Sequence, residues 1–132
     1  MKVAIVGSRK ITDGLHHIFD ALCQPTWREI VSGGAVGTDT LAASWASERG
    51  LPLTVHLPDY NLHGRHAPHV RNRVIVDSCD LLIACWDVEV WPDNAMSMLA
   101  RARKRHIPVV RVANGVVTSQ TVWKALDVEC QR

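Results

Sequence analysis

EIVSGGAVGTDTLAASWA, residues 29–46, joins a short β-branched run to a helical pattern through a loop that contains three glycines. The run at 29–31 is typical of a strand buried in a parallel sheet. The helical segment after the loop is expected to end near Gly50, because glycine favours helix C-termini. Its apolar face is expected to consist of Leu41, Ala42, Trp45 and Ala46. The segment therefore predicts a strand, a glycine loop and a helix in succession.

The beginning of the chain repeats this succession. Residues 2–7, KVAIVG, predict a buried strand that ends at a glycine, and residues 8–10 predict a turn. The helix that follows is expected to stop before Pro25, with Thr12 or Asp13 as its N-terminal cap. Its apolar face, at the spacing i, i+3, i+4 and i+7, is expected to be Leu15, Ile18, Phe19 and Leu22.

Three further apolar runs, at 53–57, 81–86 and 107–112, predict strands. The polar, histidine-rich segment 61–69 predicts a loop, and a helix is expected to continue from it to about Ser78. Another helix is indicated by the spacing of Ala95, Met98, Leu99 and Ala102.

Strands that alternate with helices imply a parallel sheet, because parallel neighbours need long crossover connections. We therefore predict an α/β protein, a Rossmann-like three-layer sandwich with a mostly parallel sheet of about five strands. The whole chain, 1–132, is expected to form one domain with its core at about 2–112. The extension 113–132 is expected to add a short strand and a helix through Val122 and Leu126.

The composition is that of a globular protein, with 47% apolar and 21% charged residues. A net charge of +2 is too small to indicate nucleic-acid binding by itself. The apolar runs are shorter than the roughly 20 residues of a membrane helix, and the N-terminus lacks a signal-peptide layout, so a cytoplasmic protein without a membrane partner is expected. Cys23, Cys79, Cys85 and Cys130 form no C-x-x-C pair and are expected to be reduced thiols.

The carboxyl ends of the strands are the candidate site, because open parallel sheets bind ligands there. The first strand ends at Gly7-Ser8-Arg9, where exposed backbone, a hydroxyl and a guanidinium can meet a phosphate. A turn with a surface arginine explains the same residues.

The second strand end is the stronger candidate, because its three glycines expose N–H groups at a helix N-terminus, where the helix dipole favours anions. The candidate ligand-binding residues here are Ser32, Gly33, Gly34, Gly37, Thr38 and Asp39. The loop reads G-G-x-x-G with no lysine after the last glycine, so it is neither the dinucleotide pattern nor a Walker A loop. Asp39 is expected either to cap the helix or to face the ligand as a hydroxyl acceptor or general base.

Polar and aromatic side chains follow the third and fourth strands. The candidates here are Asp59, Arg71, Asn72, Trp86 and Asp87, with the phenol of Tyr60 beside the first of them. A carboxylate, an arginine and an aromatic face can hold a ribose, a phosphate and a base. Solvated helix charge explains Arg71 equally well, and Trp86 can belong to the core.

Three histidines, His63, His66 and His69, follow one another at three-residue spacing. No carboxylate or cysteine is fixed beside them in the sequence, so we expect neither a metal site nor a cofactor. A pH-sensitive or substrate-contacting loop is the expected role.

Five segments resemble the SLOG superfamily, a Rossmann-like group that includes the Smf/DprA DNA-processing proteins, the LOG lysine-decarboxylase-like phosphoribohydrolases and the small YspA-type proteins. They are VAIVGSR at 3–9, IVSGGAVGTDTLAASWA at 30–46, PDY at 58–60, RNR at 71–73 and LLIACWD at 81–87. The resemblance covers about Lys2 to Val112. It implies a nucleotide-type ligand at the two glycine-bearing strand ends and a homodimer or larger homo-oligomer.

The chain departs from the LOG enzymes after the fourth strand. Those enzymes carry a second glycine motif there, P-G-G-x-G-T-x-x-E, whereas this chain has DVEVWPDN at 87–94. Their catalytic glutamate is therefore not transferred, and the candidate catalytic carboxylates are Asp39, Asp87 and Glu89.

The expected function is binding of a phosphate-bearing nucleotide or nucleotide-derived ligand, as a sensor or a processing domain. One alternative is hydrolysis or transfer at an N-glycosidic bond, as in LOG proteins, and whether the chain is an enzyme stays open. The other alternative is single-stranded nucleic-acid binding, as in Smf/DprA proteins.

Overall fold

Six strands form one sheet in the order β3-β2-β1-β4-β5-β6 in a computed structural model that describes residues 1–120. The strands are β1 Lys2–Gly7, β2 Glu29–Ser32, β3 Leu53–Val55, β4 Leu81–Cys85, β5 Val109–Ala113 and β6 Val116–Gln120. Neighbours from β3 to β5 pair in parallel, and β6 pairs with β5 antiparallel. The predicted mostly parallel α/β architecture is confirmed.

Helices cover both faces of this sheet. They are α1 His16–Leu22, α2 Thr38–Glu48, α3 Tyr60–His63, α4 Ala67–Asp77 and α5 Asp93–Lys104, with a 3-10 turn at Gly64–His66. No helix within residues 1–120 is both long enough and apolar enough to cross a bilayer.

The core has two apolar layers, one on each face of the sheet. Alternate residues of β1 point to opposite faces, so that Val3 and Ile5 belong to one layer and Ala4 and Val6 to the other. Burial on both faces explains why the strand sequences are continuously apolar. The first layer is completed by α1 and α2, whose Phe19 and Trp45 meet edge to face, and the second by α4 and α5.

Two local predictions were wrong. The first helix begins at His16, one residue after Leu15, and no side chain caps it, so neither Thr12 nor Asp13 has the predicted role. The segment 61–69 is largely helical rather than a loop, because Asp59 caps α3 by accepting a hydrogen bond from the Leu62 N–H at 3.1 Å.

Some boundaries also differ from the sequence expectation. β3 ends at Val55 and β4 at Cys85, each before the end of its apolar run. The sheet has a sixth strand, since the run at 116–120 pairs with β5, as expected for the first part of the extension. The helix predicted through Val122 and Leu126 lies outside the described residues, as does Cys130. The other three cysteines are free thiols.

Candidate functional site

A cavity of about 380 Å³ lies at the carboxyl ends of β1, β2 and β4. We call it the strand-end cavity. It sits where the strand order reverses on either side of β1, which is the usual ligand position in open α/β sheets. Its wall is formed by Val6, Gly7, Arg9, Gly33, Gly34, Ala35, Asp39, Leu57, Pro58, Tyr60, Pro68, His69, Arg71, Asn72, Ile75, Trp86, Asn94 and Met98.

The loops after β1 and β2 are held together by the backbone of Ser8. Its N–H donates to the Cys85 carbonyl at 2.8 Å, which ties the first loop to the end of β4. Its carbonyl accepts both the Thr38 N–H at 3.1 Å and the Thr38 hydroxyl at 2.9 Å. Thr38 is completely buried, so it fixes the two loops to each other and does not reach the cavity.

Gly37 allows the loops after β1 and β2 to approach each other closely. Its φ of 79° and ψ of −125° lie in a region that residues with a side chain rarely adopt. A Cβ at this position would lie 2.5 Å from the carbonyl oxygen of Arg9 and 2.6 Å from that of Ser8. Gly37 is therefore needed for contact between the loops, and it lies outside the cavity wall.

Asp39 and Arg71 form the polar centre of the strand-end cavity. The Asp39 carboxylate accepts a hydrogen bond from the Ala35 N–H at 3.0 Å. The Arg71 Nη1 donates to the Gly33 carbonyl at 2.6 Å, and its Nε donates to the Asn72 side chain at 2.8 Å. The guanidinium is thus fixed in position beside the carboxylate.

Burial raises the pKa of Asp39, and this effect outweighs the Ala35 amide, the Arg71 charge and the Gly33 amide, all of which lower it. Asp39 does not cap α2, because the N-cap residue is Gly37 and no side-chain hydrogen bond caps this helix. Its carboxyl group stabilises the loop before α2 through the Ala35 N–H, and it lines the cavity with its charged form disfavoured.

Trp86 belongs to the core and also lines the strand-end cavity. It is almost fully buried and packs on Trp91 with ring centroids 5.3 Å apart, and it contributes to the cavity wall. Arg111 lies over the other ring, 4.2 Å from the Trp91 centroid. This stack gives the wall after β4 a fixed aromatic surface.

The structure brings together about half of the residues that the sequence singled out. Those in the cavity wall are Gly7, Arg9, Gly33, Gly34, Asp39, Arg71, Asn72 and Trp86. Those outside the wall are Ser8, Ser32, Gly37, Thr38, Asp59, Asp87 and Glu89.

Most residues outside the wall make hydrogen bonds within or between the loops. The Ser32 hydroxyl accepts the Gly34 N–H at 3.3 Å, and the Asp87 carboxylate accepts the Asn114 N–H. Of the three candidate catalytic carboxylates, Asp39 lines the cavity, whereas Asp87 and Glu89 do not.

Several wall residues were not selected from the sequence, among them Leu57, Pro58, His69, Asn94 and Met98. A helical periodicity applied across the histidine-rich segment would have found part of this set, because His69 and Asn72 lie three residues apart on α4. Asn94 and Met98 likewise lie four residues apart on α5.

The three histidines do not share one site. His69 lines the strand-end cavity, whereas His63 and His66 do not. Within residues 1–120 no three His, Cys, Asp or Glu side chains are arranged to hold a metal ion.

The fold and this cavity define a Rossmann-like α/β protein whose candidate site lies at the topological switch point of the sheet. Residues 1–63 match the YAcAr family model, described as the YspA, cpYpsA-related SLOG family. The matched stretch contains both glycine-bearing strand ends, and in this part of the chain the protein is similar to the SLOG superfamily. No curated protein and no solved structure matches the chain.

Proposed function

We propose that the strand-end cavity binds a nucleotide or nucleotide-derived ligand with its phosphate beside Arg9 and Arg71. The observation that carries this proposal is the presence of two guanidinium groups, a glycine loop and a buried carboxylate in one cavity at the switch point. Guanidinium groups suit phosphate because their N–H groups match its oxygens in pairs.

The rigidity of Arg71 supports this assignment. Its bonds to the Gly33 carbonyl and the Asn72 side chain hold the guanidinium before any ligand arrives. A fixed donor loses less conformational entropy on binding than a free one. Arg9 is exposed at the opposite loop and supplies the second positive charge.

Asp39 suits the sugar of such a ligand. A ribose offers hydroxyl donors, and a buried carboxylate that already accepts one amide has lone pairs left for a second donor. Trp86, Leu57 and Pro58 supply the apolar wall against which a base can pack.

A second candidate function is cleavage or transfer at an N-glycosidic bond, favoured by the raised pKa of Asp39 inside the cavity. A carboxyl of this kind can exchange a proton with a leaving group or with water. Incubation of the protein with AMP, followed by chromatography for free adenine, tests it. Release of adenine that Asp39→Asn abolishes would establish turnover, and its absence with bound AMP would leave a binding protein.

Calorimetric titration with AMP, adenosine and ribose 5-phosphate tests the binding proposal. AMP should bind more tightly than adenosine, and Arg9→Ala should weaken AMP binding by roughly 1.5–3 kcal/mol, as for a charge-assisted hydrogen bond. Arg103→Ala is the matched control, since Arg103 is exposed on α5 and lies outside the cavity wall. Equal affinity for AMP and adenosine, or an Arg9→Ala variant that binds AMP like the control, would reject the phosphate position.

Salt dependence separates this function from binding of single-stranded nucleic acid. Neutralisation of many phosphates releases counterions, so nucleic-acid affinity falls steeply with salt. A small ligand in a cavity should respond weakly. Titration of the protein with an oligonucleotide and, separately, with AMP at increasing salt concentrations distinguishes the two functions.

We also propose a cytoplasmic homodimer or larger homo-oligomer. Leu53 and Val55 are partly exposed on β3, which forms one edge of the sheet, and Leu57 is 69% exposed beyond it. An apolar sheet edge of this kind is a ready surface for self-association. Light scattering of the purified protein measures the assembly directly.

A further inference from the structure

A second cavity of about 310 Å³ adjoins the strand-end cavity between α4 and α5. We call it the helix-pair cavity. The two cavities share four wall residues, namely His69, Asn72, Asn94 and Met98. Its remaining wall consists of His66, Val70, Arg73, Val76, Ser97 and Arg101. The shared side chains lie between the two cavities.

The helix-pair cavity is apolar inside and positive at its edge. Val70, Val76 and Met98 supply the apolar surface. Arg73 and Arg101 stand at the edge, and no carboxylate among the described residues lines it. Asp77 lies outside the wall and holds Arg101 through two hydrogen bonds of 2.9 and 2.7 Å.

This chemistry fits a second nucleotide unit. A planar base can pack on the apolar surface, and a phosphate can lie against the exposed guanidinium of Arg73. Each cavity by itself is near the lower end of the roughly 300–1,000 Å³ that small-molecule sites occupy. A ligand larger than one nucleotide would use both.

We infer that the natural ligand has two phosphate-bearing nucleotide units, one in each cavity. The inference rests on the proposed function, because the first unit is the nucleotide of the strand-end cavity. Asn72 and Asn94 lie between the two cavities and are placed to contact the linkage that joins the units.

Calorimetric titration of the full chain with AMP and with the 5′-phosphorylated dinucleotide pApA tests the inference. The dinucleotide should bind about tenfold more tightly than AMP, the gain expected of one added charge-assisted contact. Arg73→Ala should remove most of this gain and leave AMP binding unchanged, whereas Arg103→Ala should alter neither.

A second variant tests the position of the second unit. Ser97 is exposed on α5 and lines only the helix-pair cavity, so Ser97→Trp should block that cavity without disturbing the core. Ser44→Trp, at an exposed position of α2, is the matched control for the added indole.

The outcomes separate the two proposals. If AMP binds and pApA binds no better, the second unit is rejected and the proposed function stands. If pApA binds better but Ser97→Trp and Arg73→Ala leave the gain intact, its assignment to the helix-pair cavity is wrong. If neither nucleotide binds, the proposed function fails and the two-unit ligand fails with it.

Discussion

Gly37→Ala should destabilise the protein strongly, although Gly37 lies outside the cavity wall. Its φ and ψ of 79° and −125° would cost a residue with a side chain about 1–3 kcal/mol. The new Cβ would also lie 2.5 Å from the Arg9 carbonyl oxygen, so the two loops must separate. Separation weakens the two hydrogen bonds from Thr38 to the Ser8 carbonyl, each of which contributes about 0.5–1.5 kcal/mol.

These contributions combine to about 2–6 kcal/mol of unfolding free energy, a large part of the roughly 5–15 kcal/mol that holds a typical domain together. For a chain of this length the melting temperature should fall by about 10 °C or more, measured by calorimetry or by urea unfolding.

Gly50→Ala is the matched control for Gly37→Ala. Gly50 also has a positive φ, 69°, but a Cβ there would meet nothing within 4 Å. Its substitution should therefore cost only the conformational penalty of about 1–2 kcal/mol. The difference between the two variants measures the contact between the loops together with any difference in backbone strain between the two positions. Equal losses of stability would show that this contact contributes nothing and that our account of Gly37 is wrong.

Three further substitutions test the site. Thr38→Val should cost about 1 kcal/mol in urea unfolding, because it removes one hydrogen bond while the Ser8 carbonyl keeps the Thr38 N–H; no loss would deny that this hydroxyl joins the loops. Asp39→Asn should raise the melting temperature at neutral pH and weaken AMP binding, because burial raises the pKa of this carboxyl and so disfavours its charged form. The difference in melting temperature between this variant and the wild type should decrease as the pH falls and wild-type Asp39 becomes protonated, because neither protein then buries the charge. Melting curves recorded across pH would contradict this if the difference increased in acid. Asp87→Asn should leave AMP affinity unchanged in the same calorimetric titration, since that carboxylate accepts the Asn114 N–H outside the cavity, and a clear loss would restore it as a ligand contact.

The sheet could be predicted from the sequence because its signals are local. Each buried strand is a short β-branched run, and the apolar face of α2 follows the helical period. The segment 61–69 was assigned wrongly because its helices are short and mostly polar, so they show no apolar period. The start signals were present, since Asp59 is a capping residue and Pro68 stands in the first turn of α4.

The positions of the candidate side chains could be predicted only in part. The carboxyl ends of parallel strands lie at one edge of the sheet, and this property predicts that residues at the strand ends lie near one another. Arg9, Gly33, Asp39 and Arg71 do line one cavity. Which atoms of a loop face inward depends on hydrogen bonds between segments distant in the sequence. The bond from the Thr38 hydroxyl to the Ser8 carbonyl, 30 residues away, leaves no trace in either local motif.

These contacts between the loops change how the glycines at the strand ends are interpreted. Gly37 and Gly7 face neighbouring backbone, since a Cβ on the first would meet the Arg9 carbonyl and one on the second would overlap that of Cys85. Gly33 and Gly34 line the cavity, yet a Cβ on Gly34 would also lie 2.8 Å from Leu57 and Val55 side chains. The glycines therefore let the loops pack closely, and this packing in turn places the guanidinium and carboxyl groups. A substitution at Gly34 consequently affects folding and binding together, whereas Arg9 can be truncated without disturbing that packing and is the cleaner test of ligand binding.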